Sequence, residues 1–271
     1  MNYLMLQPID TTKLIIVIGI IALLAVVFAV LIIVVSKLCA VKEDEKAKAV
    51  SEHLAGANCG GCGFAGCADF AKALSEGRAT ISQCGPTPNE NKAKIAEILG
   101  VEFTATEQAY AVVKCMGGQN CSDKFEYVGN EGCIAQATYM GGSKACSFGC
   151  LGAGTCEKLC PYHALTVKNG VSTVDKALCE ACGVCVKACP KHIIELIPKS
   201  SKVFVACSSN CKGKDVMGAC KAGCIGCGLC AKNCPENAIT MVNNLPVIDY
   251  SKCTGCKTCV AKCPRKCIKE I

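Results

Sequence analysis

Cys179-Glu-Ala-Cys182-Gly-Val-Cys185-Val-Lys-Ala-Cys189-Pro190 is the stretch that decides the fold. Its spacing is C-x2-C-x2-C-x3-C-P. Three close thiolates wrap one corner of an iron–sulfur cubane, and the fourth reaches a second cluster. The proline ends the wrap and leads the chain away. Small residues between the cysteines let backbone N–H groups approach the sulfurs. The same spacing returns at Cys224, Cys227, Cys230 and Cys234-Pro235, and at Cys253, Cys256, Cys259 and Cys263-Pro264.

Working outward, the C-terminal half is an internal repeat. Cysteines 133, 146, 150, 156, 160, 179, 182, 185 and 189 recur 74 residues later at 207, 220, 224, 230, 234, 253, 256, 259 and 263. Such a period means repeated structural units, and each unit carries two Cys-Pro pairs 29 residues apart. The crossover rule predicts one cluster on Cys224, Cys227, Cys230 and Cys263 and another on Cys253, Cys256, Cys259 and Cys234. It predicts a third on Cys179, Cys182, Cys185 and Cys160. The fourth site departs from the pattern, because Ala153 stands where Cys227 would be. Cys146, just upstream, is the expected substitute, giving Cys146, Cys150, Cys156 and Cys189.

A different group precedes the repeat: Cys59, Cys62, Cys67 and Cys84, spaced C-x2-C-x4-C-x16-C. Ala68 to Glu76 has a helical pattern, so its first amides face an anionic group well. This reads as a fifth [4Fe–4S] site; structural zinc is the bland alternative. Asn89 to Leu99 reads as a helix capped by Asn89 and stopped by Gly100, and Ala109 to Lys114 as a strand. Of the remaining cysteines, Cys115, Cys133, Cys207 and Cys220 can supply a sixth cluster or remain buried thiols. The histidines at 53, 163 and 192 are isolated in sequence, so surface or packing roles are expected, and no nucleophile–base constellation is visible.

The chain has 271 residues, of which 28 are cysteine. A disulfide scaffold is the competing reading of that density. Leu14 to Val35 argues against it. This uncharged apolar run reaches roughly 33 Å as a helix, enough to cross a bilayer, and it lacks the shape of a cleaved signal. Lys37, Lys42, Lys46 and Lys48 follow it against Lys13 before it. That asymmetry predicts a single-pass anchor in the cell membrane with the cysteine-rich part in the cytoplasm, where thiols stay reduced.

The formal charge of +7 counts every Cys as neutral. Five cubanes at about −2 each bring the loaded protein to about −3. With no Trp and few aromatics, nothing points to nucleic acid. Lys252, Lys257, Lys262, Arg265, Lys266 and Lys269 crowd the last motif, either as a solvated face or as a docking patch for an acidic redox partner. The predicted fold is α+β: an anchor (1–39), a small α-rich single-cluster domain (40–102), and two tandem bacterial-ferredoxin-like modules (103–204 with its linker, and 205–271).

The order of parts resembles a known family. An N-terminal span is followed by Asn58-Cys-Gly-Gly-Cys-Gly-Phe-Ala-Gly-Cys67 with a distant Cys84-Gly-Pro86. Then comes Cys146-Ser-Phe-Gly-Cys-Leu-Gly-Ala-Gly-Thr-Cys-Glu-Lys-Leu-Cys-Pro161. This is similar to the B subunits of the Rnf complexes over nearly the whole chain. The resemblance implies an electron-relay subunit of an ion-translocating ferredoxin:NAD+ oxidoreductase in the bacterial cytoplasmic membrane. It implies reduced soluble ferredoxin as donor and other membrane-complex subunits as partners, with NAD, flavins and the ion path on those partners. Alternatives are the iron–sulfur subunit of another membrane oxidoreductase, a related complex that reduces a redox-sensing regulator, and a zinc-stapled interaction protein.

Overall fold

The computed structural model describes residues 11–38, 44–105 and 107–271. Cys39, Lys42 and the rest of the charged stretch 39–43 lie outside the described residues. The chain divides after Asp44 into two units.

The first unit carries one helix, α1 (Thr11–Leu38), of which Leu14–Lys37 is long and apolar enough to cross a membrane. Its large apolar side chains, Leu14 through Val35, are all exposed. A continuous apolar surface of this kind needs lipid or another protein to cover it.

The second unit begins with α2 (Glu45–His53), α3 (Cys67–Ser75) and α4 (Asn89–Leu99). Their apolar faces meet around Val50, Leu54, Phe70, Leu74 and Ile95. The helix α4 occupies the predicted residues, but its cap lies one residue earlier, at Pro88. Proline holds φ at −60°, as a helix entrance requires. Gly100 ends the helix in the left-handed region at φ +69°, which costs glycine nothing.

The first ferredoxin-like module follows the order β1 (Ala109–Val113), α5 (Cys133–Thr138), α6 (Thr155–Lys158), β2 (Leu165–Lys168), β3 (Val171–Val174), α7 (Val184–Ala188) and β4 (Ile194–Pro198). Strand β1 pairs antiparallel with β4, and β2 with β3. The second module repeats the plan with β5 (Val203–Val205), α8 (Gly213–Ala219), α9 (Leu229–Lys232), β6 (Ile239–Val242), β7 (Leu245–Ile248), α10 (Thr258–Lys262) and β8 (Ile268–Glu270). Here β5 pairs with β8 and β6 with β7. Asn169-Gly170 and Asn243-Asn244 turn the two hairpins with positive φ at both residues, the geometry that matches strand twist.

The register corrects one feature of the repeat. Val113 faces Ile194 and Val205 faces Ile268. Strand β1 is therefore the counterpart of β5, which makes Cys115 the structural counterpart of Cys207. Those two stand 92 residues apart rather than 74. The first module thus carries 18 more residues between Cys115 and Cys146 than the second carries between Cys207 and Cys220. This insertion contains α5 and Cys133, so the match of Cys133 with Cys207 is one of sequence spacing only.

Cysteines fill much of both module interiors. Cys150, Cys156, Cys160, Cys179 and Cys185 share one core with Ile193, Ile194 and Ile197. Cys207, Cys224, Cys230, Cys259 and Cys267 share the other with Val203, Ile239 and Ile268. Each of the four Cys-Pro segments closes the same turn. The N–H groups of His163, His192, Asn237 and Lys266 donate to the carbonyls of Cys160, Cys189, Cys234 and Cys263 at 3.1–3.2 Å. Each of the four donor residues has φ near +50°. Asn and His tolerate that region better than most residues, which gives His163 and His192 a turn-forming role.

Candidate metal centres

All 27 described cysteines are unpaired. Among the described residues, no group of three or more His, Cys, Asp or Glu closes on one point as a single ion would require. A cubane asks for a different arrangement. Its four thiolates bind four irons at separate corners, so the sulfurs line the walls of a cavity.

Three cavities among the described residues are each lined by four cysteines. Cys160, Cys179, Cys182 and Cys185 line one of about 300 Å³. Cys234, Cys253, Cys256 and Cys259 line another of about 340 Å³. Both quartets are those the crossover rule selects. In the first quartet backbone amides already point at the sulfurs: Ala111 N–H reaches Cys179 Sγ and Ala164 N–H reaches Cys160 Sγ, each at 3.3 Å. Such donors stabilise thiolate charge.

The third cavity, about 350 Å³, is lined by Cys133, Cys150, Cys156 and Cys189. Cys133 stands on its wall, whereas Cys146 lines a different cavity at the seam between the modules. The reason is the insertion: it brings α5 back over α6, where Cys133 N–H donates to Thr155 Oγ1 at 2.7 Å. Nothing in the motif spacing signals this return.

Cys224, Cys227, Cys230 and Cys263 form a fourth group. Burial pushes the Cys230 thiol up to about 11, and the sulfurs of Cys224, Cys263 and Cys227 add to the shift. Cys263 Sγ accepts the N–H of Cys267 at 3.3 Å. The fully buried Cys267 acts as a thiol: its Sγ donates to Ala222 O at 3.3 Å and to Cys224, which lowers the Cys224 pKa.

In the helical domain that precedes the first module, Cys62, Cys67 and Cys84 border one core. Cys67 opens α3, and its N–H donates to Asn58 Oδ1 at 2.8 Å. This domain sits directly on the first module. A Cβ on Gly61 would meet Cys182 O at 1.9 Å, and one on Gly85 would meet Ala181 O at 2.2 Å. Lys187 Nζ donates to Gly61 O at 2.7 Å. Cys59 comes near enough to raise the Cys182 pKa, behind burial, which is the larger cause. Tyr162 lies in the same seam; burial raises its phenol pKa, and the sulfurs of Cys59, Cys182 and Cys84 add to it. The sequence carried a trace of this docking in its glycines at 61 and 85, but not the surface they approach.

The same physics acts on several of the buried thiols. Burial pushes Cys185 up to about 12 and Cys150 up to about 11, with neighbouring sulfurs adding to both. Crowded buried thiols hold their protons, and a metal must displace them on binding.

The basic face around the last motif is partly self-neutralised. Arg265 turns inward onto Cys220 O at 2.9 Å and Gly223 O at 3.1 Å. Lys257 pairs with Glu270, and Lys252 with Asp249. Lys262 and Lys266 are exposed.

Paired hairpins, cysteine-lined cavities and repeated Cys-Pro turns define a multi-cluster [4Fe–4S] protein of ferredoxin type. Residues 54–86 match an Fe-S cluster family, residues 172–195 a 4Fe-4S binding domain, and residues 223–267 a 4Fe-4S dicluster domain. The chain is 41% identical over 206 residues to the B subunit of the ion-translocating oxidoreductase complex of Methanosarcina acetivorans, covering 75% of this chain and 78% of that one. It is 39% identical to the B subunit of the Na(+)-translocating ferredoxin:NAD(+) oxidoreductase complex of Acetobacterium woodii, covering 87% and 71% respectively. It is 40% identical to the B subunit of the proton-translocating ferredoxin:NAD(+) oxidoreductase complex of Clostridium ljungdahlii, covering 84% and 82%. The chain belongs to the B-subunit family of the Rnf ion-translocating oxidoreductase complexes.

Proposed function

We propose that this chain takes single electrons from reduced ferredoxin and relays them toward membrane subunits of an ion-translocating ferredoxin:NAD+ oxidoreductase. Five [4Fe–4S] sites serve the relay. They are Cys59/Cys62/Cys67/Cys84, Cys160/Cys179/Cys182/Cys185, Cys133/Cys150/Cys156/Cys189, Cys224/Cys227/Cys230/Cys263 and Cys234/Cys253/Cys256/Cys259. The third set replaces the expected Cys146 with Cys133, because Cys133 lines that cavity and Cys146 does not. When bound, fully cysteine-ligated clusters supply one-electron redox chemistry and leave no iron open to substrate.

The observation that carries this reading is the pair of cavities each walled by a crossover quartet. The remaining residues fit it. Amides aimed at Cys160, Cys179 and Cys263 stabilise thiolate charge. Neighbouring groups adjoin one another: Cys59 acts on Cys182, and Cys156 on Cys185. Cys227 and Cys256 are the two exposed cysteines among the described residues, both in the second module. We place the ferredoxin contact there, with Lys262 and Lys266 steering an acidic partner. The helix α1 anchors the chain, and the lysines that follow it orient the cysteine-rich unit to the cytoplasm.

The test is an anaerobic redox titration of the purified full chain followed by EPR, with iron and acid-labile sulfide counted. About four irons and four sulfides per site, low-potential cubane signals, and reduction by ferredoxin that slows with salt are expected. A colourless, zinc-loaded preparation without labile sulfide overturns the proposal.

A further inference from the structure

A cavity larger than the three described above belongs to none of the five sites. It measures about 680 Å³, lies at the seam between the two modules and is lined by seven cysteines. One of them, Cys150, also walls the neighbouring cavity of the first module. We infer that this seam holds a sixth [4Fe–4S] cluster ligated by Cys115, Cys146, Cys207 and Cys220, two ligands from each module. The inference rests on the five-site reading above.

The four are chosen by pseudo-symmetry. Cys115 follows β1 and Cys207 follows β5, which are equivalent strands. Cys115 Sγ accepts the N–H of Cys150 at 3.4 Å, and Cys207 Sγ accepts the N–H of Cys224 at 3.3 Å. Cys150 and Cys224 are themselves equivalent, so the two contacts are one contact repeated. Cys146 and Cys220 are the second related pair, each four residues before its module's first motif cysteine.

The four also share an environment. Each sulfur takes backbone N–H donors from just downstream: Cys115 from Gly117 at 3.4 Å, Cys146 from Phe148, Cys207 from Ser209, and Cys220 from Ala222 and Gly223. This is the pattern of amides that supports cluster thiolates. They also approach one another, since Cys146 feels Cys115 and Cys220, and Cys207 feels Cys115. Gly117 puts no side chain between them; a Cβ there would stand 3.5 Å from Cys220 Sγ and 3.6 Å from Cys115 Sγ.

Cys121 differs. Its Sγ turns to Ser122 O at 3.7 Å, and it has no symmetry mate in the second module. Cys211 lines the cavity without a symmetry mate. On assembly the four ligands each give up a proton as they bind iron. Because they come from both modules, the site staples the modules together.

The experiment compares the anaerobically prepared full chain with Cys146→Ser, Cys220→Ser and Cys121→Ser, by iron and acid-labile sulfide per chain and by Mössbauer spectroscopy. About 24 irons are expected in the parent, four for each of six cubanes. A loss of about four is expected in Cys146→Ser and in Cys220→Ser, and none in Cys121→Ser. A parent holding about 20 irons, or ligand variants that match Cys121→Ser, overturns the sixth site and leaves the five intact. Absence of labile sulfide overturns the five-site reading itself. Should a ligand variant not fold, the parent count alone decides.

Discussion

The two ferredoxin modules follow one plan and solve one problem differently. In the second, Cys227 completes the first motif, and Cys207, at the end of β5, faces the seam. In the first, Ala153 stands where Cys227 would, and an insertion returns Cys133 to the vacated wall. A cubane needs four sulfurs around a cavity, not four sulfurs at fixed sequence positions. A ligand lost from a motif is therefore replaceable from any segment that packs over the same space. The insertion makes the first module longer, while Cys115 keeps the position that Cys207 holds in the second.

The sharpest way to break this comparison is to treat Cys133 and Cys207 as the equals their spacing suggests. In the full chain Cys133→Ser is expected to lose about four irons and the first module's signal, since it removes one of the four thiolates proposed for that cavity. The module core contains the affected cysteines, so its unfolding transition moves far down as well. Cys207→Ser is expected to keep the cluster on Cys224, Cys227, Cys230 and Cys263. Adding Ala153→Cys to Cys133→Ser restores the plan of the second module and is expected to recover the four irons. Iron analysis with EPR reads all three variants. A Cys133→Ser protein with its first-module signals intact, or loss of the second-module signal in Cys207→Ser, would break the assignment.

Much of this was legible in the sequence. The convergence of two crossover quartets on cavities, the α4 boundaries, β1 and the apolar span follow from residue types at short spacings, where geometry is local. Cys133 was not legible, because its position depends on how an insertion folds back over α6. Its chance alignment with Cys207 in the 74-residue period pointed the wrong way. Nor was the seat of the helical domain before the first module legible: Gly61 and Gly85 show that something comes close, but only the packed structure says that it is Ala181 and Cys182.

That contact is the second difference between the modules. In the first, Ala181-Cys182 is covered by the loops at Gly61 and Gly85; in the second, the counterpart Gly255-Cys256 has Cys256 exposed. Gly61→Ala drives a methyl group against Cys182 O, where its Cβ would stand at 1.9 Å. Backbone must move, and overpacking of this kind costs about 1–3 kcal/mol. We expect a lowered midpoint in anaerobic thermal unfolding and faster proteolysis within residues 45–102, with second-module cluster signals unchanged. Unaltered protease resistance and midpoint would mean that the domain does not depend on this seat.

The smallest effect tests the same two positions through the backbone alone. Ala181 has φ +53°, and its counterpart Gly255 has φ +72°. A Cβ in the left-handed region costs about 1–2 kcal/mol, whereas glycine gives up roughly 0.5–1 kcal/mol through the freedom of the unfolded chain. The first term exceeds the second, so Ala181→Gly is expected to raise stability by about 0.5–1 kcal/mol. Gly255→Ala should lower stability by more than that, because its Cβ would also meet the Lys202 side chain at 2.8 Å. Anaerobic thermal melts of the two variants compare them directly. A destabilised Ala181→Gly would show that packing of the Ala181 methyl outweighs its backbone strain, and that the two modules differ at this turn in more than the residue they carry.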